Sequence, residues 1–234
     1  MNYAVVLVAA GKSSRFASAT ETPAMKKPFV FLRGKSVWVH SAEKFAMRND
    51  VVQLLIAVAP EDVIWFNERY AEEIRRFKVT VVSGGQERID SVRNALAAIR
   101  NDVEFIAVHD AARPCIAGEQ IEAVFRAAAK YGAALLASPV AGTLKRVQDG
   151  TVQATVPRDG LWEAQTPQVF RRDILLDAYS RSGDTVPTDD AQLAENAGKP
   201  VRLVPSNRWN LKITEQTDLK LAELLLQEVL KTSE

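Results

Sequence analysis

The sequence predicts an α/β fold with a mainly parallel sheet covered by helices on both faces. Three observations carry this. Short β-branched runs alternate along the chain with segments of helical period. Several of those runs are apolar on both faces, as strands buried within a covered parallel sheet are. Finally, 234 residues at 47% hydrophobic supply one substantial core, so one domain over 1–234 is expected. In sheets of this kind ligands bind beyond the carboxyl ends of the strands, which directs attention to the segments just after each strand.

Taken in order, YAVVLVAA (3–10) is the first buried strand. SVWVHSAEKFAMRN (36–49) carries apolar residues at three-to-four spacing behind a serine, the pattern of a capped amphipathic helix. VVQLLIAVA (51–59) is a second strand, APEDVIWFNERYAEEIRRF (59–77) a long helix, KVTVVSGG (78–85) a third strand and IDSVRNALAAIRN (89–101) another helix. EFIAVHD (104–110) and GAALLASPV (132–140) are strands on either side of the helix GEQIEAVFRAAAKYG (118–132). PVRLVPS (200–206) completes the strands, and TEQTDLKLAELLLQEVL (214–230) is the last helix.

GTLKRVQDGTVQATVPRDG (142–160) breaks the alternation. Two polar-apolar strands flank Asp149-Gly150, a dipeptide suited to the positive backbone angles of a tight hairpin. An isolated hairpin is marginally stable in water, so this arm, at about 141–160, is expected to dock on its own domain or on a second subunit.

Composition excludes several classes. Lys and Arg number 30 against 29 Asp and Glu, a net charge of +1, so no global field favours nucleic acid or an anionic membrane and any anion site must be local. The single cysteine, Cys115, forbids an intrachain disulfide. No apolar run reaches the ~20 residues of a membrane helix. The first residues run into a strand with no export signal, and a cytoplasmic protein is expected.

Four stretches can carry chemistry. AAGKSSRF (9–16) follows the first strand, but its one glycine satisfies neither the dinucleotide nor the Walker pattern. Ala9, Ala10 and Gly11 let backbone N–H groups approach a ligand, and Lys12, Ser13, Ser14 and Arg15 add donors and charge; an ordinary βα turn accounts for the same residues. MKKPF contributes Lys26 and Lys27, as phosphate ligands or as solvated surface. VHDAARP puts His109, Asp110 and Arg113 at a strand's carboxyl end, where one carboxylate plus phosphate oxygens and water suits Mg²⁺ and an arginine suits phosphate. A structural Asp–Arg pair is the alternative. SGGQERIDSV pairs Gly84 and Gly85 with Gln86, Arg88 and Ser91, able to read a base or ribose or simply to turn the chain into a helix cap. Arg158 and Lys212 stand among turn residues. Neither histidine lies in a metal-ligand spacing.

In this order AAGKSSRF, KKPF, SGGQERIDSV, VHDAARP, TLKRV, LWEAQTPQVF, TDDAQLAE and NLKIT resemble the family of 2-C-methyl-D-erythritol 4-phosphate cytidylyltransferases across nearly the whole chain. The resemblance implies a single Rossmann-like domain whose β-arm embraces the partner of a homodimer. It implies that CTP is held by Ala9, Ala10, Gly11, Gly85, Gln86 and Ser91, with Arg15, Lys27 and Lys212 as catalytic cations and Asp110 as the Mg²⁺ ligand. Arg113, Thr143, Thr166 and, across the dimer, Arg158 fall where the family holds its sugar-alcohol phosphate. Departures are Ser13 where a second glycine is usual, Lys12, Lys26, and a longer run from Arg15 to Lys27. The implied reaction joins CMP from CTP to the sugar phosphate with release of pyrophosphate. Its nucleophile is a phosphate already largely ionised near neutrality, so no general base is required. A pentitol-phosphate cytidylyltransferase acting on ribitol 5-phosphate, and a non-catalytic nucleotide-binding module, are the competing readings.

Overall fold

The computed structural model describes residues 1–11, 16, 26–183 and 187–231, with side chains to 227. Arg15, Lys12, Ser13 and Ser14 lie outside the described residues.

Eleven strands are described: β1 Tyr3–Val8, β2 Phe31–Leu32, β3 Lys35–Ser36, β4 Val51–Val58, β5 Val79–Ser83, β6 Phe105–Asp110, β7 Ala133–Pro139, β8 Leu144–Gln148, β9 Thr151–Val156, β10 Trp162–Arg171 and β11 Arg202–Pro205. The described helices are α1 Val37–Ala46, α2 Val63–Arg69, α3 Ala71–Phe77, α4 Arg88–Ala97, α5 Gly118–Tyr131, α6 Arg172–Ser180, α7 Asp190–Asn196 and α8 Gln216–Lys231. Seven strands form one sheet in the order β11-β7-β10-β6-β1-β4-β5. All neighbouring pairs are parallel except those of β10, which runs antiparallel to both β6 and β7.

Alternation along the central strand divides the core. Tyr3, Val5 and Leu7 point into one cluster with Trp38, Phe45, Phe66, Tyr70 and Phe125 from α1, α2, α5 and the α2–α3 junction. Ala4 and Val6 point the other way, against Val92, Leu96, Leu175 and Leu193 from α4, α6 and α7. Burying each large apolar side chain stabilises the fold by roughly 1.5–3 kcal/mol, so both helical layers are held without special contacts. A third, smaller cluster joins Val37, Cys115 and Ile213 to Ala222 and Leu226 of α8, at the end of the sheet where the strands point.

Besides the short α6 and α7, which the pattern did not single out, two elements differ from the sequence pattern. The expected long helix at 59–77 is a 3-10 turn, Pro60–Asp62, followed by α2 and α3, because Tyr70 (φ −116°, ψ 26°) leaves helical geometry between them. Its ring turns into the aromatic core beside Trp38 and Phe66, and its hydroxyl lies 2.8 Å from Ser36 Oγ. The second difference is β10. LWEAQTPQVF reads as turn and polar residues, yet it supplies a strand in the middle of the sheet. Proline is disfavoured there because it cannot donate to a ladder. A register irregularity between Ala164 and Gln168 accommodates Pro167, and pairing with β6 begins only at Gln168.

The arm forms as expected. β8 and β9 pair antiparallel around Asp149 (φ 49°) and Gly150 (φ 75°). Every residue of the two strands is exposed except the half-buried Val156. Within one chain the hairpin therefore has no core of its own.

Candidate active site

The carboxyl ends of β1, β4, β5 and β6 converge, and a cavity of about 340 Å³ opens above them. Its wall contains Ala9, Ala10 and Gly11 after β1, Lys27, the turn Gly85–Arg88, Ser91, Asp110 and Lys212. Residues from both ends of the chain, Ala9 and Lys212 among them, thus meet at the point where the sheet grows in opposite directions from β1.

Close packing dictates the small residues. Gly84 N–H donates to Val58 O at 2.7 Å. A Cβ on Gly84 would lie 2.6 Å from Ala10 Cβ and 2.9 Å from Ser91 Oγ, and one on Gly85 would lie 2.3 Å from Asp90 Cβ. Contacts that short require the turn to shift, so the two glycines let the β5–α4 turn lie against the first loop. Ser91 Oγ then accepts from Gly85 N–H at 3.1 Å and donates to Glu87 O at 3.2 Å. Asp90 Oδ2 accepts from Glu87 N–H at 3.2 Å, which caps α4.

The two loop lysines have different destinations. Lys26 is taken up by Glu61 and Asp62, each at 2.7 Å. Lys27 begins the short 3-10 turn to Phe29, whose ring is buried among Trp65, Phe66 and Tyr70, and Lys27 lines the cavity.

Asp110 is the electrostatic centre. Lys212 Nζ lies 2.8 Å from Oδ2, Arg113 Nε 3.5 Å from Oδ2 and Arg88 Nε 3.8 Å from Oδ1. Burial by itself pushes a carboxyl pKa upward, but Lys212, Arg88 and Arg113 outweigh it and hold Asp110 below the usual carboxylate range. Three cations against two carboxylates, Asp110 and the Asp190 that pairs with Arg88, still leave a local positive excess in a protein of near-zero net charge, the condition for binding a polyphosphate. The donor set also fits Mg²⁺ in one respect: Asp110 is ionised and faces the cavity, and Mg²⁺ takes few protein ligands where substrate phosphates and water complete its octahedron. Among the described residues no group of three His, Cys, Asp or Glu forms a cage.

Behind Asp110 lies a buried polar layer. Thr166 Oγ1 accepts from Asp110 N–H at 3.0 Å and lies 3.1 Å from His109 Nδ1. Burial lowers the His109 pKa to about 4, with Asp110 raising it and Arg113 lowering it, so the ring is neutral near pH 7. Arg113 Nη1 donates to Asn210 O at 2.7 Å, and Asn210 Nδ2 donates to Gln165 Oε1 and Thr166 O. Ile213 N–H donates to Ala112 O at 2.8 Å. Lys212 therefore projects from a segment pinned on both sides. Cys115 is buried and its thiol is pushed up to about 12 by burial, which makes it an inert packing residue.

The expected site residues thus fall into groups. Ala9, Ala10, Gly11, Lys27, Gly85, Gln86, Ser91, Asp110 and Lys212 share the cavity wall. Arg113 and Thr166 are buried against Asp110. Thr143 and Arg158 are exposed at the base of the arm and line no part of their own chain's cavity; Arg158 donates to Ala141 O. From the sequence Arg88 stands out as a reader of a base or ribose or as part of a turn into a helix, and Asp190, which is fully buried and 2.6 Å from Arg88, does not stand out. The stretch TDDAQLAE was the available signal, without anything in one chain to say which carboxylate turned inward.

Residues 3–228 match a family model described as 2-C-methyl-D-erythritol 4-phosphate cytidylyltransferase. A protein of that name from Solibacter usitatus is 42% identical over 97% of both chains. Another, from Rhodopirellula baltica, is 40% identical over 96% of this chain and 94% of its own. Among solved structures, that of the 2-C-methyl-D-erythritol 4-phosphate cytidylyltransferase of Francisella tularensis superposes with a TM-score of 0.80 at 29% identity, covering 96% of this chain and all of the other. The Thermus thermophilus structure of the same name gives 0.77 at 29% identity, over 95% and 98%.

Proposed function

The chain belongs to the family of 2-C-methyl-D-erythritol 4-phosphate cytidylyltransferases, and on that premise we propose how its residues divide the work of the family's reaction. The reaction is cytidylyl transfer: CTP and 2-C-methyl-D-erythritol 4-phosphate give 4-diphosphocytidyl-2-C-methyl-D-erythritol and pyrophosphate, a step of non-mevalonate isoprenoid precursor synthesis. Enzymes of this family depend on Mg²⁺.

In this reading one nucleotidyltransferase domain spans 1–234, and the cavity above the sheet receives CTP. Ala9, Ala10 and Gly11 offer backbone to the triphosphate, while Gly85, Gln86 and Ser91 face the cytosine and ribose. Lys27 and Lys212 flank the α-phosphate, and Arg15 serves the leaving pyrophosphate. Asp110 would hold Mg²⁺, which when bound neutralises charge on the triphosphate. Arg113 and Thr166, with Thr143, and Arg158 of the partner subunit, hold the sugar phosphate. Dimerisation through the arm at about 141–160 and residence in the cytoplasm belong to the same proposal. Among the described residues no helix is long and apolar enough to cross a membrane.

The barrier in such a reaction is the approach of two anions and the charge that develops as phosphorus is attacked in line. Positioning and fixed cations lower it, and no side chain has to remove a proton. The observation that carries the proposal is the ring of Lys212, Arg88 and Arg113 around an ionised Asp110 on the wall of the one cavity that also contains Lys27. The test is pyrophosphate release from CTP with methylerythritol phosphate against ribitol 5-phosphate. Preference for the pentitol would transfer the assignment to the neighbouring activity, and no release with either would leave a binding module.

A further inference from the structure

One buried carboxylate has no part in the reaction as described. Asp190 opens α7, is fully buried and does not line the cavity. Its Oδ2 accepts from Arg88 Nη2 at 2.6 Å, and its Oδ1 accepts from the Tyr179 hydroxyl of α6. The backbone around it is pinned from β10: Gln168 Nε2 donates to Asp189 Oδ2 at 2.8 Å, and Gln168 Oε1 accepts from Ala191 N–H at 2.9 Å. Asp189 also caps α7 through Gln192 N–H.

Arg88 bridges two carboxylates, hydrogen-bonded tightly to Asp190 and ion-paired more loosely with Asp110. Its Nη2 is fixed on Asp190, while its Nε lies 3.8 Å from Asp110 Oδ1 and the side chain forms part of the cavity wall. A carboxylate is costly to bury unless it is paired, and pairing it with an arginine buried wholly inside the protein would bring no return at the cavity. Here the arginine faces ligand space, between the turn Gly84–Gln86 and Asp110. The tighter of its two anchors is therefore on α7, an element that contributes no residue to the cavity lining. Arginine's planar fork suits such a division, with one edge bonded and the other presented.

We propose that Asp190 is the positioning residue of the nucleotide site, holding the Arg88 guanidinium where the ribose of CTP meets its α-phosphate. This rests on the cytidylyl-transfer reading above. Asp190 acts through Arg88, and its effect falls on the nucleotide and not on the sugar phosphate, which approaches from the Arg113–Thr166 side.

The test is a double-mutant cycle on the full chain, with melting curves to certify folding and two readouts: calorimetric binding of CTP with Mg²⁺, and separate KM values for the two substrates. Asp190→Asn is expected to weaken CTP binding and raise its KM by at least tenfold, with the sugar-phosphate KM within twofold of wild type. In an Arg88→Met background the same change should add less than twofold, and Asp190→Glu should recover part of the loss. Equal losses in both backgrounds, or undiminished CTP binding by folded Asp190→Asn, would overturn the proposal. Should Asp190→Asn not fold, Tyr179→Phe decides: a two- to threefold rise confined to the CTP KM supports the inference, and an unchanged KM overturns it. A wild-type protein that neither binds CTP nor releases pyrophosphate would instead refute the parent reading.

Discussion

Lys212 Nζ sits 2.8 Å from Asp110 Oδ2, although the two residues are separated by about a hundred positions, Asp110 ending β6 and Lys212 lying between β11 and α8. The pair places a fixed cation and an ionised carboxylate on the wall of the same cavity. Lys212→Ala is expected to lower kcat by about 10²–10³, as removal of one preorganised charge from a transition state typically does, with the melting temperature little changed because the lysine is 40% exposed. Steady-state pyrophosphate release checks this, and near wild-type turnover by a folded Lys212→Ala enzyme would remove Lys212 from the catalytic cations.

Lys26 and Lys27 are adjacent but should behave differently. Lys26 is committed to Glu61 and Asp62, a partly exposed ion-pair cluster whose loss costs about 1 kcal/mol or less, so Lys26→Ala should keep most of its turnover. Lys27→Ala should lose about 10²-fold or more in kcat. Parallel assays of the two variants make the comparison, and equal effects would contradict it.

The glycine turn makes a packing prediction. Gly84→Ala puts a Cβ 2.6 Å from Ala10 Cβ and should raise the KM for CTP several-fold by displacing the first loop. Ala10→Gly removes that clash, and the double variant should recover part of the affinity. The 2.9 Å contact with Ser91 Oγ keeps recovery incomplete.

Acid stability follows from Asp110. Its folded pKa lies below the ordinary value because Lys212, Arg88 and Arg113 outweigh burial. A depressed pKa contributes stability that is present above the unfolded value of ~3.9 and is lost as pH falls through the folded one. The melting-temperature gap between wild type and Asp110→Asn should therefore stay constant from pH 8 to about pH 5 and narrow only below ~4. Differential scanning fluorimetry across that range tests it, and a gap that closes already near pH 6 would point to a different titrating group.

The arm carries an apolar pair, Val147 opposite Val152, 54% and 57% exposed in the single chain. On the proposed arm-mediated dimer, Val147→Asp with Val152→Asp should shift the protein from dimer to monomer in sedimentation. On the same proposal activity should fall with it, because Arg158 would no longer reach a second subunit. Mixed, exchanging dimers of Arg158→Ala and Asp110→Ala should regain some activity by assembling one intact site.

Periodicity was sufficient for most of the sheet and for α1, α4, α5 and α8, because buried parallel strands and amphipathic helices write their burial directly into the pattern of apolar residues, whereas the short α6 and α7 did not stand out. It failed at β10, where Glu163, Gln165, Thr166 and Gln168 are the polar layer behind the site and Pro167 sits at a register irregularity. It failed again at Tyr70, whose aromatic packing overrides a continuous helical pattern. At the site, the ordered motifs were legible together though each was ambiguous alone. Arg88 showed as a residue type, but its partner Asp190 did not.

By itself, then, the sequence determined the α/β class, the hairpin with its Asp149-Gly150 turn, and the set of short motifs that identifies the family. Only the tertiary structure decided that Lys26 turns to Glu61 and Asp62, that Lys212 pairs with Asp110, and that Asp190 turns inward to hold Arg88. Local pattern records which residues are buried, since burial depends on each residue's own hydrophobicity. The partner of a charge is chosen by the packing of distant elements, and that is settled only when strands and helices are brought together.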